Sequence, residues 1–250
     1  MSPRLAFAID AAYKAGRSTL SLFQTGAYVM TKSDESPVTE ADHGAERLIR
    51  ELINEKYPQD HILGEEEGGA STELNRWVID PIDGTKSFIS GVPLYSTLLS
   101  YEINGEAEVG VCYFPALDEM LYAERGQGAF FNGRPARVSD RDTVKGAVIC
   151  CGGLRSMKTG GRWEPFGRIV DRALATRTWS DAYGHALVAT GRVEAMIDPI
   201  IAHWDISAVS LIVREAGGCF TDFEGNDKLA LDAISSNGKI HQELLDEFNS

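Results

Sequence analysis

The first part of the chain places its apolar residues at helical spacing. They recur at intervals of about one helical turn between residues 5 and 23, and again between residues 48 and 53. A single apolar face of this kind is typical of an amphipathic helix packed on a core. The polar stretch 31–37 separates the two patterns, and Lys56-Tyr57-Pro58 follows the second. The chain therefore predicts two helices joined by a loop.

Short apolar runs replace this spacing in the next segment. Strands are predicted over residues 61–64, 77–79, 94–103, 109–114, 121–123 and 129–131. Asn104-Gly105 lies between two of these runs and is typical of the tight turn of an antiparallel hairpin. The first half is thus predicted to consist of two helices followed by a mostly antiparallel sheet.

The second half alternates strands with helices. The predicted elements are strands at 144–151 and 195–197 and helices at 166–174, at 183–190 and after Asp205. Such alternation predicts an α/β layered structure. We place a boundary near residue 146, between an N-terminal part (1–146) with helices and sheet and a C-terminal α/β part (147–250). No Pro- or Ser-rich linker separates them, so we expect a shared interface.

Composition narrows the class of protein. The 250 residues are 43% hydrophobic, enough for a sizeable core. The 24 basic and 37 acidic residues give a formal charge of −13, which argues against a general binder of nucleic acid or anionic membranes. We identify neither a membrane-spanning run nor a signal peptide. The four cysteines lack metal-binding spacing, and we expect a reducing, cytoplasmic location.

Four acidic residues stand at the ends of predicted elements. Asp80 and Asp83 close one strand around Pro81, Glu65 follows another strand, and Asp205 precedes a helix. Each also has an ordinary explanation: a β-turn for Asp80 and Asp83, a solvated charge run for Glu65, and an N-cap for Asp205. A capping carboxylate keeps a second oxygen free, so these explanations do not exclude a metal site.

If these carboxylates converge, they cannot remain unpaired. Two carboxylates about 4 Å apart repel by roughly 4 kcal/mol at an effective dielectric constant of about 20. A cluster therefore predicts bound cations or raised pKa values. Oxygen ligands without a nearby histidine or thiolate favour Mg²⁺ over Zn²⁺. Bound Mg²⁺ would also offset the chain's negative charge where a phosphate enters.

The segment Gly84-Thr85-Lys86 follows the acids directly and is a candidate phosphate-binding segment. Glycine lets the backbone approach a ligand closely, and a helix beginning here would point free N–H groups at an anion. A Gly-Thr pair alone is a weak signal, so this prediction depends on the neighbouring acids.

Together, these motifs resemble the inositol monophosphatase superfamily. The matching segments are Val38-Thr39-Glu40-Ala41-Asp42, Gly64-Glu65-Glu66, Trp77-Val78-Ile79-Asp80-Pro81-Ile82-Asp83-Gly84-Thr85, Trp204-Asp205-Ile206-Ser207-Ala208 and Ala216-Gly217-Gly218. They occur in the right order over nearly the whole chain. The resemblance implies an α-β-α-β-α sandwich, Mg²⁺-dependent hydrolysis of a small phosphate monoester, and usually a homodimer.

The resemblance also implies roles for individual residues. The ligands it implies for two to three Mg²⁺ ions are Glu65, Asp80, the Ile82 carbonyl, Asp83 and Asp205. Thr85, oriented by Asp42, and Glu65 would position the attacking water. The amides of Gly84 and Thr85 would hold the phosphate.

The residues after the acids narrow the substrate. Gly84-Thr85-Lys86-Ser87-Phe88 looks like the histidinol-phosphate phosphatase branch, which makes histidinol in histidine biosynthesis. Histidinol phosphate carries an ammonium and an imidazole, so its pocket should offer carboxylates. Asp181, at the start of a predicted helix, and Asp198, before Pro199, are the candidates, and with Gly84, Thr85 and Lys86 they form the predicted substrate site. As alternatives, Asp181 is an N-cap and Asp198 part of a turn.

Two other functions remain open. One is the same hydrolysis on inositol phosphate or another small ester. The other is a non-enzymatic role, because some members of this superfamily act as accessory factors of the transcription machinery. The intact set of acids argues against a protein without catalytic function.

Several remaining charged and polar residues have a structural interpretation. Most of the six basic residues between 155 and 177 are expected to form a solvated surface, and one or two to lie at the mouth of the site, from this chain or from the partner subunit. His185 and His203 are expected to serve in packing or at the surface, since nothing gives either a metal-ligand partner.

Overall fold

The computed structural model describes residues 1–26, 28–32, 36–69 and 72–250. Its helices are α1 (Pro3–Thr19), α2 (Glu40–Lys56), α3 (Thr85–Ile89), α4 (Leu154–Thr159), α5 (Trp163–Arg172), α6 (Asp181–Ala189), α7 (His203–Glu215) and α8 (His241–Phe248). Its strands are β1 (Val29–Thr31), β2 (Pro37–Thr39), β3 (His61–Gly64), β4 (Gly68–Gly69), β5 (Arg76–Asp83), β6 (Ser96–Ile103), β7 (Glu106–Phe114), β8 (Glu119–Glu124), β9 (Ala129–Phe131), β10 (Arg134–Pro135), β11 (Val148–Cys151), β12 (Ala175–Arg177), β13 (Ala195–Asp198), β14 (Cys219–Thr221) and β15 (Ala233–Ser236).

Two large sheets organise the described residues. The first has eight strands in the order β10-β9-β8-β7-β6-β5-β3-β4, and its neighbours are antiparallel except for the parallel pair β3 and β5. The second has five strands in the order β12-β11-β13-β15-β14, with parallel pairing around β11 and antiparallel pairing around β15. The mostly antiparallel first sheet predicted from the sequence is confirmed.

Helices form three layers around these sheets. Side chains such as Ala12 and Ile49 place α1 and α2 against one face of the first sheet. α6 and α7 lie between the sheets, where Ile206 shares a cluster with residues of both. Phe166 and Leu244 place α5 and α8 on the far face of the second sheet. The predicted α/β fold, an α-β-α-β-α sandwich, is confirmed.

Some element boundaries differ from the prediction. α1 ends at Thr19 and not at Phe23, because the Thr19 hydroxyl lies 3.0 Å from that of Tyr95 and Phe23 turns aside to pack on Phe88 and Tyr95. The loop predicted at 31–37 includes ends of β1 and β2, and residues 33–35 lie outside the described residues.

Two further differences lie at the start of the second half. β11 begins at Val148, while Val144 is buried in the segment before it without joining the sheet. The short helix α4 was not predicted, because only Met157 among its residues is buried and so no apolar periodicity marks it.

None of the helices within the described residues is long and apolar enough to cross a membrane. The division of the chain at residue 146 stays a prediction.

Close backbone contact fixes α7 on the first sheet. Gly110 of β7 faces Ala208 of α7, and a Cβ at Gly110 would lie 2.6 Å from the Ala208 carbonyl oxygen. Ser100 on β6 and Ser207 on α7 add a buried hydroxyl pair at 2.7 Å. No side chain larger than hydrogen fits at position 110 unless α7 moves.

We expect Gly110→Ala to destabilise the protein and to shift α7. Overpacking of this kind costs about 1–3 kcal/mol. Gly44→Ala is the matched control, because Gly44 lies inside α2 with no atom within 4 Å of an added Cβ, and alanine stabilises a helix interior by roughly 0.5–1 kcal/mol. Thermal unfolding of both variants checks this, and equal unfolding temperatures would contradict the close-contact account.

Candidate active site

Asp80 and Asp83 reach the same site through an irregularity in β5. All residues of β5 are buried, and its pairing with β6 shifts register between Asp80 and Asp83. In a regular strand, side chains three positions apart point to opposite faces of the sheet. The irregular backbone at Pro81 and Ile82 removes this alternation, as bulges do, and lets both carboxylates point to one side.

The start of α7 supplies the third carboxylate. Asp205 occupies the third position of the helix, where its Oδ2 accepts a hydrogen bond of 2.8 Å from the Ala202 amide. The expectation that Asp205 is the N-cap residue is therefore wrong in position, because Ala202 stands there. Asp205 caps from within the first turn, as in the reciprocal half of a capping box. Gly217 ends the helix with φ +91°, as predicted.

Three carboxylates converge where β5 meets α7. One oxygen each from Asp80, Asp83 and Asp205 lies within 4.8 Å of the others. Burial, reinforced by neighbouring carboxylates, raises the pKa of Asp80 and Asp83 well above the ordinary value and that of Asp205 to about 7. Asp80 Oδ1 is buried and has no hydrogen-bond partner among the described residues. The donor set fits a hard divalent cation such as Mg²⁺.

A network beneath the cluster anchors α7. The buried Glu102 side chain pairs with Arg76 at 2.9 Å and accepts hydrogen bonds from the Ser207 hydroxyl and the His203 ring. Burial alone would raise the Glu102 pKa, but these partners lower it below its ordinary value. The network ties β5, β6 and α7 together and so fixes Asp205 relative to Asp80. The structural role expected for His203 agrees with this position.

Glu65 joins the site from a turn that α2 holds in place. Glu46, a buried residue of α2, accepts hydrogen bonds from the amides of Glu66 and Glu67 at 2.8 and 3.1 Å. Gly64 allows this approach, because a Cβ there would lie 2.1 Å from Glu46 Oε1. Glu65 belongs to the same pocket but lies outside the trio of mutually close oxygens.

Lys32 supplies a cation that the sequence did not indicate. Its ammonium contacts Glu65 and Glu66 at 2.7 Å each. The pKa of Glu66 is nevertheless raised to about 7, first by burial and then by the charge of Glu65. Lys32 lay in a stretch interpreted as a loop, and Glu46 in a helix face, so only the fold reveals their partners.

Thr85 lies in the same pocket as Glu65, with Asp42 next to it. The Thr85 hydroxyl lies 3.3 Å from Asp42 Oδ1 and 3.1 Å from the Ile82 carbonyl oxygen, and it can donate its single proton to either acceptor. Asp42 is fixed in turn, because its Oδ2 accepts from the Thr39 amide and hydroxyl at 2.8 and 2.6 Å. Burial raises the pKa of Asp42.

A pocket of about 180 Å³ joins most of the predicted site. Its lining comprises Ser36, Pro37, Glu65, Asp80, Ile82, Asp83, Gly84, Thr85, Lys86, Asp181 and Asp205. Gly84, with φ +83°, turns the chain into α3 immediately after Asp83. Of the residues predicted for the site, only Asp42 and Asp198 are missing from this lining. Asp42 lies behind Thr85, and Asp198 lines an adjoining cavity.

The second half of the chain closes the pocket with Asp181. This residue begins α6 at φ +57°, a conformation that costs free energy for a residue with a side chain, while Ser180 occupies the N-cap position. The next amide, that of Ala182, donates a 2.7 Å hydrogen bond to Asp83 Oδ2. Burial and the charge of Asp198 raise the Asp181 pKa to about 6.

The basic stretch between 155 and 177 does not line this pocket. Arg168 and Arg172 pair with Glu247 on α8, and Arg172 also pairs with Glu243. The residues lining the pocket include none of its six cations. The expectation that one or two of them reach the mouth of the site, from this chain or from a partner subunit, stays a prediction.

Comparison with known proteins identifies the family. A sequence model of a protein family, described as the inositol monophosphatase family, matches residues 1–250. The chain belongs to this family. Phosphatases of the family use divalent metal ions, which agrees with the acidic cluster.

Three similar proteins from this family carry different names. A histidinol-phosphatase of Chlorobaculum parvum is 42% identical, and the match covers 98% of this chain and 96% of the relative. The Nus factor SuhB of Escherichia coli is 34% identical, with 98% and 95% covered. The solved structure of an IMPase from Thermotoga maritima is 37% identical and superposes with a TM-score of 0.91, with 99% and 97% covered.

We expect Mg²⁺ to stabilise the protein more at pH 8 than at pH 6. With a pKa of about 7 against an ordinary 3.8, Asp205 binds more protons in the folded metal-free protein than in the unfolded chain. Stability without metal therefore falls as pH rises through this window, and protons compete less with Mg²⁺ at its upper end. At a single Mg²⁺ concentration, about 100 times the Kd at pH 8, the ion should add ~2.7 kcal/mol at pH 8, or roughly 5–10 °C in Tm, and less at pH 6.

Scanning calorimetry at both pH values measures this gain. Asp205→Asn should show a smaller gain and a weaker pH dependence, while Asp246→Asn on the exposed face of α8 should behave like the unaltered protein. An equal Mg²⁺ effect at pH 6 and pH 8 would contradict the assignment of the raised pKa values to the metal site.

Proposed function

We propose that this phosphatase hydrolyses L-histidinol phosphate to L-histidinol and phosphate. The observation that carries the proposal is a pair of carboxylates beside the acidic cluster, the buried Asp198 and the half-buried Asp181. A phosphate ester that also bears positive charge would satisfy both parts of such a site. The sequence identity of 42% to a named histidinol-phosphatase over nearly the whole chain supports the same substrate.

The metal-binding residues follow from the cluster. Asp80, Asp83 and Asp205, with Glu65 and the Ile82 carbonyl, would hold two to three Mg²⁺ ions. Bound Mg²⁺ would polarise the phosphoryl group and lower the pKa of a water. The protein's own contribution is to fix five oxygen ligands from three elements before the metal arrives.

Thr85, Asp42 and Glu65 would position the attacking water. Because the Thr85 hydroxyl donates to Asp42 or the Ile82 carbonyl, its lone pairs remain available to accept a hydrogen bond from that water. Glu65 lines the same pocket and would accept a hydrogen bond from the other O–H group of the water. Thr39 holds Asp42 in place, so this acceptor of the Thr85 hydroxyl keeps a fixed position.

Gly84, Thr85 and Lys86 would receive the phosphate. They form the junction between β5 and α3, where the amides of Gly84 and Thr85 come directly after the metal-binding carboxylates. Lys86 lines the pocket and adds a positive charge. Positioning and charge neutralisation supply most of the catalysis in phosphoryl transfer, so no covalent phosphoenzyme is needed.

Phosphate release with Mg²⁺ tests the proposal by comparing histidinol phosphate with inositol 1-phosphate. We expect a kcat/KM at least about tenfold higher for histidinol phosphate, since only this ester offers a cation to Asp181 and Asp198. Asp83→Asn should abolish activity on both esters. Equal or reversed preference would leave a phosphatase but remove histidinol phosphate as its substrate.

Asp181→Asn separates recognition from chemistry in the same assay. It should raise KM for histidinol phosphate more than KM for inositol 1-phosphate. Asp118→Asn is the matched control, because Asp118 also has a positive φ of 53° but lies outside the pocket lining. An unchanged KM for histidinol phosphate in Asp181→Asn would contradict the role of this carboxylate.

Two alternatives have specific support. Similarity to the Thermotoga maritima IMPase favours inositol phosphate or a broader range of small esters, and the substrate comparison decides between them. Similarity to SuhB favours an accessory role with the transcription machinery, which the recovery of a stable partner at physiological salt would support. The homodimer, the absence of nucleic-acid binding and the cytoplasmic location stay predictions.

A further inference from the structure

The pocket lined by Glu65, Thr85 and Lys86 is called the phosphate pocket. A small chamber adjoins it on the side of the second sheet. Its volume is about 50 Å³. Its lining comprises Asp83, Asp181, Ala182, His185, Asp198, Ile200, Ile201 and Asp205. Three of these residues, Asp83, Asp181 and Asp205, also line the phosphate pocket, so the chamber continues from it.

His185 faces this chamber with an unused ring nitrogen. The residue is 1% exposed and lies on α6. Its Nδ1 lies 2.8 Å from the Ser235 hydroxyl, but its buried Nε2 has no hydrogen-bond partner among the described residues. Asp198 Oδ2 is 3.7 Å from Nε2, too far for a hydrogen bond. A buried polar group without a partner is costly, which indicates that a bound group completes it.

One tautomer of His185 makes the open nitrogen an acceptor. A neutral imidazole carries its proton on one nitrogen and a lone pair on the other. If Nδ1 donates to the Ser235 hydroxyl, Nε2 presents its lone pair to the chamber beside the carboxylates of Asp181 and Asp198. With this tautomer the chamber offers three acceptor groups, two carboxylates and one imidazole nitrogen.

Size restricts what the chamber can hold. An engineered protein cavity of about 150 Å³ accommodates a benzene ring. A chamber of about 50 Å³ is too small for an aromatic ring but admits a group the size of a water molecule. Its lining residues carry four carboxylates and no lysine or arginine, which favours a positively charged occupant.

We propose that the chamber binds the primary ammonium group of the substrate, with His185 as a specificity-determining residue. An ammonium has three N–H donors and no acceptor, which matches Asp181, Asp198 and His185 Nε2. The inference deepens the proposed function, on which its choice of substrate rests. It assigns the small chamber to the amine and leaves the imidazole of histidinol phosphate to the wider pocket.

Equilibrium binding of the product tests this assignment without turnover. Titration calorimetry in Mg²⁺ should show that L-histidinol binds at least about tenfold more tightly than 3-(imidazol-4-yl)propan-1-ol, which lacks the amine. His185→Leu should reduce this ratio by about tenfold or more, because a hydrogen bond to a charged group is lost. His185→Gln, whose side-chain carbonyl can accept a hydrogen bond, should restore part of it.

A second buried histidine provides the matched control. His241 has both ring nitrogens in hydrogen bonds, to Ser236 at 2.8 Å and Thr221 at 3.0 Å, and does not line the chamber. His241→Leu should therefore keep the binding ratio of the unaltered protein. A ratio unchanged in His185→Leu, or no preference for the amine in the unaltered protein, would overturn the assignment.

A second pair of ligands separates this inference from the proposed function. The rates of hydrolysis of 2-aminoethyl phosphate and ethyl phosphate are compared, because these two esters differ only in the ammonium group. A preference for the amine that His185→Leu weakens and His185→Gln partly restores supports the chamber even if histidinol phosphate is a poor substrate. Loss of both the amine preference and the effect of His185 overturns it even if histidinol phosphate is hydrolysed.

Discussion

Mutual repulsion among Asp80, Asp83 and Asp205 is the constraint on which the rest of this structure depends. Their oxygens lie within 4.8 Å of one another in a buried setting, where each negative charge opposes the others. Without a cation the site keeps protons, as the raised pKa values indicate. A divalent ion relieves the repulsion and creates a place where an anionic ester can enter an acidic protein.

The surrounding fold holds these carboxylates together against their repulsion. The irregular end of β5 aims two of them to one side, and the buried network of Glu102 fixes α7 beneath the third. The Ala182 amide ties Asp83 to α6 and brings Asp181, with its strained backbone, to the same pocket. The site thus lies between elements from both halves of the chain, so the acidic cluster and Asp181 are held in one framework.

Local pattern was sufficient for most helices and strands, because periodicity marks buried faces, and for the acids, because the motif around Asp80 is continuous. The order of the layers came from the family resemblance. It was insufficient where the partner is distant in sequence. Lys32, Glu46 and His185 gain their roles only when folding brings them to Glu65, Glu66 and the chamber. The start of α7 was predicted three residues too late, because an aspartate at a helix start suits either the N-cap or the third helical position.

Anomalous diffraction from crystals soaked in Mn²⁺ tests the central claim most directly. Mn²⁺ accepts the same oxygen ligands as Mg²⁺ and can be located by its own scattering. The account predicts at least one strong peak between the carboxylates of Asp80, Asp83 and Asp205, and its loss in Asp83→Asn. Full occupancy elsewhere, with the three carboxylates free of metal, would contradict it.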